Sequence, residues 1–245
     1  MKGSKRLEYR RLGATDIWVS RLCFGALTIS PLQRDMPAAA GAQVIMRAFD
    51  LGVNFIDTSQ FYRAYPPIAK ALRQYSGRDD VVIASKSYAY DTQGIANALE
   101  EALHELDRGW IDIFLLHEQE SMLTIRGHWE AVEYLIRAKE RGIVRAIGIS
   151  THRVQGVRAA ALVPEMDVIS PLINYRGIGI IDGTKEDMME AMEFATACGK
   201  GIYAMKPFGG GHLVGTAEDA LRFLMNLESV SSIAVGMKSI SEVEM

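Results

Sequence analysis

The sequence predicts an α/β protein, a (β/α)8 barrel in which eight parallel strands are each followed by a helix. Short, continuous apolar runs alternate with stretches of helical periodicity along the whole chain, a pattern typical of parallel strands covered by helices. The length of 245 residues suits one such barrel. Neither a linker nor a second pattern interrupts the alternation, so we expect a single domain over residues 1–245.

The strands can be placed in order along the chain. Residues 8–20 alternate in polarity around Gly13, Ala14 and Thr15, which predicts a β-hairpin ahead of the barrel. The eight barrel strands are then predicted at 21–24, 53–56, 81–85, 111–116, 146–150, 167–170, 202–205 and 232–235.

Helical periodicity fills the intervals between these strands. Helices are predicted at 39–51, 66–75, from Thr92 onward, and at 129–141, 153–162, 185–198 and 217–227. Thr184 and Asp187 form a capping pair for the sixth helix, whose apolar stripe includes Cys198 as a small core residue.

The eighth helix is the one missing unit, because residues 239–245 supply at most its first turn. The eighth helix is therefore expected to be truncated and the eighth strand to expose apolar surface. A partner, a second copy in an oligomer, or chain lost from a longer protein would then cover that strand.

Composition excludes several classes of function. The formal net charge of −3 gives no general attraction to nucleic acid or anionic membranes. The two cysteines, Cys23 and Cys198, form neither a disulfide framework nor a metal site by spacing. No apolar run approaches the ~18 residues of a membrane span, and no secretory signal precedes the barrel. We therefore expect a cytoplasmic protein that binds no metal.

Four titratable residues lie at or just beyond the ends of predicted strands. Asp57 ends the second strand, and Tyr62 follows five residues later. Lys86 and His117 follow the third and fourth strands. Because the carboxyl ends of barrel strands share one face, where active sites are built, we expect these side chains to meet there.

The four residue types suit proton donation to a carbonyl oxygen. A free phenol has a pKa near ~10 and is a poor acid at neutral pH. A lysine ammonium nearby should lower the pKa of Tyr62, and an aspartate would hold that lysine in place. A histidine can hydrogen-bond a substrate oxygen or share the proton relay. Taken singly, each residue could equally be part of a buried ion pair or a satisfied core histidine.

Three segments carry a resemblance to a known family. FIDTSQFY, VVIASK and IDIFLLH resemble the corresponding segments of the aldo-keto reductases. The resemblance implies Asp57, Tyr62, Lys86 and His117 as the catalytic tetrad. It also implies reduction of a small-molecule aldehyde or ketone by NADPH or NADH, with Tyr62 as general acid.

The cofactor site implied by the resemblance lies on the same face. No Gly-x-Gly-x-x-Gly follows a strand, so a Rossmann site is not expected. Loops after the seventh and eighth strands, with Gly209–Gly211 and Lys238, are where this barrel usually binds phosphate. A flexible loop and a solvent-exposed lysine remain the alternative. The implied cofactor-binding residues are Gly25, Ala26, Asp57, Ser150, Thr151, Ser170, Met205, Lys206, Lys238 and Ser239.

Some of these positions depart from the family pattern. Thr151, Ser170 and Met205 replace an asparagine, a glutamine and the tyrosine that stacks on the nicotinamide. Glu244 stands where an arginine is usual, and it should repel a 2′-phosphate. We therefore expect NADPH to be favoured over NADH by less than about tenfold. The departures resemble a bacterial branch of predicted oxidoreductases, in which an iron–sulfur tail often follows the barrel.

Two other functions remain open at this point. Lys86 could form a Schiff base in an aldolase built on the same barrel, although Asp57 would keep the lysine charged. The chain could also be a cofactor-binding regulatory module with little turnover, since potassium-channel beta subunits resemble this family.

Overall fold

A computed structural model describes residues 7–245, and residues 1–6 of the predicted domain lie outside the described residues. The chain opens with an antiparallel hairpin of β1 (Tyr9–Arg11) and β2 (Trp18–Ser20), as the sequence predicts. Eight further strands form a closed barrel in which all neighbouring strands are parallel. The predicted fold class is confirmed.

Each predicted barrel strand is present, with bounds that differ by at most two residues. The strands are β3 (Leu22–Gly25), β4 (Phe55–Asp57), β5 (Val82–Ser87), β6 (Ile111–Leu116), β7 (Val144–Thr151), β8 (Val168–Pro171), β9 (Gly201–Ala204) and β10 (Ser232–Val235). They neighbour one another in this order, and β10 closes the barrel by pairing in parallel with both β3 and β9.

The helices surround the barrel. Their bounds are α1 (Ala38–Asp50), α2 (Tyr65–Gln74), α3 (Thr92–Leu106), α4 (Met122–Gly127), α5 (Trp129–Glu140), α6 (Val154–Ala161), α7 (Lys185–Ala197), α8 (Ala217–Met225) and α9 (Ile240–Glu244). The predicted capping pair before α7 is present as a reciprocal capping box. Helix α4 is not among the predicted helices, because six residues are too few to show helical periodicity; Ser121 caps its start.

Two layers of apolar side chains stabilise the barrel. One layer lies between the strands and the helices, and the other fills the barrel interior. Leu12, Ile17 and Val19 of the hairpin segment are fully buried in the interior layer. Gly13 adopts a positive φ of 59° against Gly201, where a Cβ atom would collide with backbone. The hairpin therefore closes the amino-terminal end of the barrel.

Two expectations about exposure are wrong. All four residues of β10 are buried, so the eighth strand does not expose the apolar surface that a missing helix would leave. The short α9 lies against α1, where Arg47 and Glu244 form an ion pair at 2.7 Å. Cys198 is exposed and not part of the apolar stripe, because α7 ends at Ala197 and Cys198 is its C-cap residue. Association through β10 stays an untested prediction.

The described part of the chain contains neither a membrane-spanning helix nor a cluster of metal-binding side chains. Within residues 7–245, no helix is long and apolar enough to cross a membrane. In the same range, no three histidine, cysteine or acidic side chains form a group that could hold a metal ion.

Candidate active site

The four predicted catalytic residues meet at the carboxyl end of the barrel. Asp57 is the last residue of β4, Lys86 lies in β5, and His117 directly follows β6. Tyr62 ends a short 3-10 turn, Gln60–Tyr62, which begins three residues after Asp57. Adjacent strands thus bring three of the side chains together, and the turn returns the fourth to them.

Asp57 and Lys86 form a buried ion pair. The Lys86 Nζ donates to Asp57 Oδ1 at 2.5 Å and to the Thr58 carbonyl at 2.7 Å. The lysine side chain is 1% exposed and the aspartate side chain 10%. Both groups therefore have their partners inside the protein, which a buried charge requires.

Tyr203 is a further neighbour of Asp57 that was not among the predicted site residues. It lies on β9, and its hydroxyl donates to Asp57 Oδ1 at 2.8 Å. Burial first, and the Asp57 charge second, raise the pKa of this phenol well above its usual value. A tyrosine inside an otherwise apolar strand was the available signal, because a buried hydroxyl needs a partner.

Tyr62 lies beside the ion pair without a hydrogen bond to it. The Lys86 Nζ is 5.2 Å from the centre of the Tyr62 ring. The centres of the Tyr62 and His117 rings are 5.7 Å apart and their planes are close to perpendicular. Ser59 caps the turn that carries Tyr62, by accepting from the Phe61 backbone N–H at 3.2 Å.

The expected lowering of the Tyr62 pKa is wrong for this arrangement. Burial raises the pKa of Tyr62, and the charges of Asp57 and Glu118 raise it further. Lys86 directs its hydrogen bonds to Asp57 and Thr58 instead of to the phenol. Tyr62 is therefore fully protonated at neutral pH, which is the state that a proton donor needs.

His117 is neutral in this setting. Burial is the main cause that lowers its pKa, to about 2, and the charge on Lys86 acts in the same direction. Its Nδ1 lies 3.1 Å from the Ser59 hydroxyl. Tyr88 stacks on the imidazole, with ring centres 4.2 Å apart and an angle of 15° between the planes. The ring is thus fixed on two sides.

Charged side chains surround the outer part of the site. Glu118 and Lys206 both adopt positive φ values, 53° and 57°, which are uncommon outside glycine and often occur at functional sites. His152 Nε2 lies 3.7 Å from a Glu118 carboxylate oxygen. Burial lowers the pKa of Lys206, whose ammonium has no carboxylate within 4.0 Å among residues 7–245.

Apart from Asp57, described above, the implied cofactor site begins with four residues that have structural roles of their own. Gly25 ends β3 at a point where a Cβ atom would lie 3.3 Å from the Val235 backbone, and buried Ala26 begins a 3-10 turn. The Ser150 hydroxyl accepts from the Glu118 backbone N–H at 3.0 Å. Thr151 accepts from the Arg153 backbone N–H at 3.0 Å, which occupies its hydroxyl oxygen at the start of α6.

The next three residues suit a polar ligand better. Ser170 is fully buried at the end of β8, and its hydroxyl has no hydrogen-bond partner among the described residues. Met205 follows β9 and bridges to Leu172, and Lys206 is next in the chain. A buried hydroxyl without a partner is costly unless a ligand supplies one. These residues therefore fit the amide and phosphate groups of a nicotinamide dinucleotide.

The last two residues lie in a short acidic segment. Glu242 accepts from the Lys238 backbone N–H at 2.8 Å and lies 3.2 Å from the Lys238 ammonium. Ser239 caps α9 by accepting from the Glu242 backbone N–H at 3.2 Å. Because Glu244 pairs with Arg47, the acid next to Lys238 is Glu242 and not Glu244. The loop residues Gly209–Gly211 all have positive φ.

Comparison with known proteins decides the family. The model of the aldo/keto reductase family matches residues 21–223, which is most of the chain. The chain belongs to the aldo/keto reductase family. This family comprises oxidoreductases that act on carbonyl compounds with nicotinamide cofactors, so the resemblance to the family is confirmed.

Individual aldo/keto reductase relatives are distant. An alignment with L-galactose dehydrogenase of Arabidopsis thaliana is 22% identical and covers 98% of this chain and 86% of that protein. A "probable voltage-gated potassium channel subunit beta" of Oryza sativa is 23% identical, over 85% of this chain and 66% of its own length. Aldo-keto reductase AKR11C1 from Bacillus halodurans has the same fold, with a TM-score of 0.80, 20% identity and coverage of 97% and 89%.

Proposed function

We propose that this protein reduces an aldehyde or ketone with NADPH or NADH and uses Tyr62 as the general acid. The supporting observation is the meeting of Asp57, Tyr62, Lys86 and His117 at one end of the barrel. When bound, the cofactor supplies the hydride. The protein's residues bind the substrate and deliver the proton.

Tyr62 is suited to give the proton because its phenol is protonated at neutral pH. The Lys86 ammonium lies 5.2 Å from the ring and would stabilise the negative charge that develops on the phenol oxygen during transfer. Asp57 holds Lys86 in that position, and Tyr203 holds Asp57. His117 lies beside Tyr62, with ring centres 5.7 Å apart, and would help to orient the substrate.

For the cofactor, Ser170, Met205 and Lys206 are the residues best placed to contact the nicotinamide half. Gly25, Ala26, Ser150 and Thr151 shape the surrounding backbone. Lys238 and Ser239 would face the adenosine phosphate. Since Glu242 already pairs with Lys238, we propose only a weak preference for NADPH over NADH.

The test is a steady-state assay of NADPH and NADH oxidation with a panel of aldehydes and ketones. Tyr62→Phe should reduce the rate by roughly 10²–10⁴-fold, because general-acid catalysis contributes that much. Cofactor affinity should stay near that of the wild type, since the phenol gives its proton only in the transition state. Cofactor binding is followed by fluorescence titration of the same two proteins.

Three outcomes would contradict the proposal. Near wild-type turnover by Tyr62→Phe would exclude Tyr62 as the acid. Tight cofactor binding without turnover on any carbonyl would favour the regulatory module. Borohydride trapping of a substrate on Lys86 would favour the aldolase, which the two hydrogen bonds of its ammonium disfavour.

A further inference from the structure

The buried hydroxyl of Ser59 connects the segments that carry the catalytic residues. Ser59 is fully buried. Its Oγ lies 3.2 Å from the Phe61 backbone nitrogen, 3.2 Å from the Lys86 carbonyl oxygen and 3.1 Å from His117 Nδ1. One side chain therefore contacts the turn that ends at Tyr62, the strand that carries Lys86, and the imidazole.

The hydrogen-bonding capacity of a serine hydroxyl restricts how these contacts can be made. The group has one proton to donate and two lone pairs that accept. The Phe61 amide can only donate, and the Lys86 carbonyl can only accept. If the Ser59 proton goes to the carbonyl, then His117 Nδ1 must donate, and all three contacts are hydrogen bonds. If the proton goes to Nδ1, two oxygen acceptors face each other at 3.2 Å.

The Lys86 carbonyl has no substitute for the Ser59 proton in the sheet. On the β4 side of β5, the Ala84 carbonyl accepts from the Thr58 backbone N–H at 2.8 Å. Carbonyls two residues apart on a strand point the same way, so the Lys86 carbonyl also faces β4. Pairing of β4 with β5 ends at Asp57 and Ala84, however, and the next donor that the carbonyl meets is Ser59.

His117 carries a single ring proton, because burial keeps its imidazole neutral at pH 7. A proton on Nδ1 therefore leaves Nε2 with a free lone pair. No hydrogen bond to Nε2 is made by residues 7–245.

We propose that Ser59 is a positioning residue that holds His117 as its Nδ1–H tautomer, so that Nε2 accepts a hydrogen bond from a hydroxyl group of the ligand. This assignment of the ligand group rests on the proposed carbonyl reduction. Tyr62 offers a proton and His117 offers a lone pair, so the site is complementary to a carbonyl that has a hydroxyl beside it. A ketone or aldehyde without that hydroxyl could hydrogen-bond to Tyr62 but not to His117.

The tautomer can be measured without any turnover. In protein labelled with ¹⁵N at histidine, a long-range ¹H–¹⁵N spectrum at pH 7 distinguishes a protonated ring nitrogen from a bare one. The His117 signals are identified by their loss in His117→Gln. We expect a protonated Nδ1 and a bare Nε2 in the wild type, and a shift towards Nε2–H in Ser59→Ala. Ser59→Thr keeps the hydroxyl and should retain the wild-type pattern.

Ligand preference gives a second measurement. Hydroxyacetone and butanone have the same size and differ by a hydroxyl in place of a methyl group. The ratio of their kcat/KM values should fall roughly three- to tenfold in Ser59→Ala, as expected for one lost hydrogen bond, and should be kept in Ser59→Thr. Comparing the ratio between variants removes the difference in intrinsic reactivity of the two ketones.

The outcomes separate this inference from the proposed function. A wild-type His117 with a protonated Nε2 would overturn the inference even if the enzyme reduces carbonyls. An unchanged Nδ1–H signal in Ser59→Ala would show that Ser59 does not set the tautomer. If Ser59→Ala does not fold, Ser59→Cys keeps the volume with a weak hydrogen-bonding group, and it serves the same comparison.

Discussion

Two lysine–carboxylate pairs lie at the carboxyl end of the barrel, and they differ in burial. In the pair of Lys86 and Asp57 the side chains are 1% and 10% exposed, whereas in the pair of Lys238 and Glu242 they are 45% and 33% exposed. A buried charge that loses its partner is strongly destabilising, but an exposed pair contributes little. The first pair therefore fixes the structure of the site. The second can exchange its internal partner for the charge of a ligand.

The largest difference between the two pairs is expected in the free energy of unfolding, when the lysine of each pair is replaced by methionine, which is uncharged and of similar length. Lys86→Met should lower the free energy of unfolding by about 3–5 kcal/mol, because Asp57 keeps a buried charge without its cation. Lys238→Met is the matched control and should change it by less than about 1 kcal/mol. Denaturant unfolding of both variants measures this. Equal decreases in the free energy of unfolding in both variants would mean that the buried pair does not stabilise the protein more than the exposed one.

His117, which lies beside the buried Lys86–Asp57 pair, should also make the stability of the protein depend on pH. Above pH ~6.5, His117 is neutral in both folded and unfolded chains. Below pH ~6.5, His117 binds a proton in the unfolded chain but not in the folded chain, where its pKa is about 2. The free energy of unfolding therefore decreases as the pH is lowered. Between pH 6.5 and 5 this group should remove up to about 2 kcal/mol.

The free energy of unfolding measured at several pH values in this range tests the expectation. His117→Gln cannot take up the proton, so its curve should be flatter by that amount. Burial also lowers the pKa of His152, which is present in both proteins and does not affect their difference. Parallel curves for the two proteins would contradict the assignment of a neutral, buried His117.

The smallest effect is expected for the exposed pair of Lys238 and Glu242, and it concerns the relative affinity for NADPH and NADH. Glu242→Gln frees the Lys238 ammonium and removes a carboxylate next to it, so NADPH affinity should rise roughly three- to tenfold while NADH affinity stays similar. Glu244→Gln is the control on the same short helix, since Arg47 already pairs with Glu244. Fluorescence titration of both cofactors measures the change. An equal gain in both variants would show that the effect is not specific to Lys238.

The barrel and the catalytic residues were predictable because each rests on a local pattern. Apolar runs placed all eight strands to within two residues, and Asp57, Lys86 and His117 follow from where those strands end. The geometry of parallel strands then implies that the three side chains meet.

The hydrogen-bond partners were not predictable, because they depend on contacts distant in sequence. Tyr203 is 146 residues from Asp57, and Ser59 is 58 residues from His117. The direction of the Tyr62 pKa shift was missed for the same reason, since it depends on burial and on which acceptors Lys86 reaches. Pairing of Glu242, and not Glu244, with Lys238 depends on how α9 lies against α1.

The hydrogen bond between Tyr203 and Asp57 has a consequence for how the site is assembled during folding. Asp57 is in the second strand of the barrel and Tyr203 in the seventh, so the bond spans most of the chain. Contacts of such long sequence separation form late, after the intervening units have been ordered. A partly folded chain that contains only the first strands would already hold Lys86 next to Asp57 but would lack the phenol that orients the carboxylate. The complete charge arrangement is thus a property of the closed barrel and not of any fragment of it.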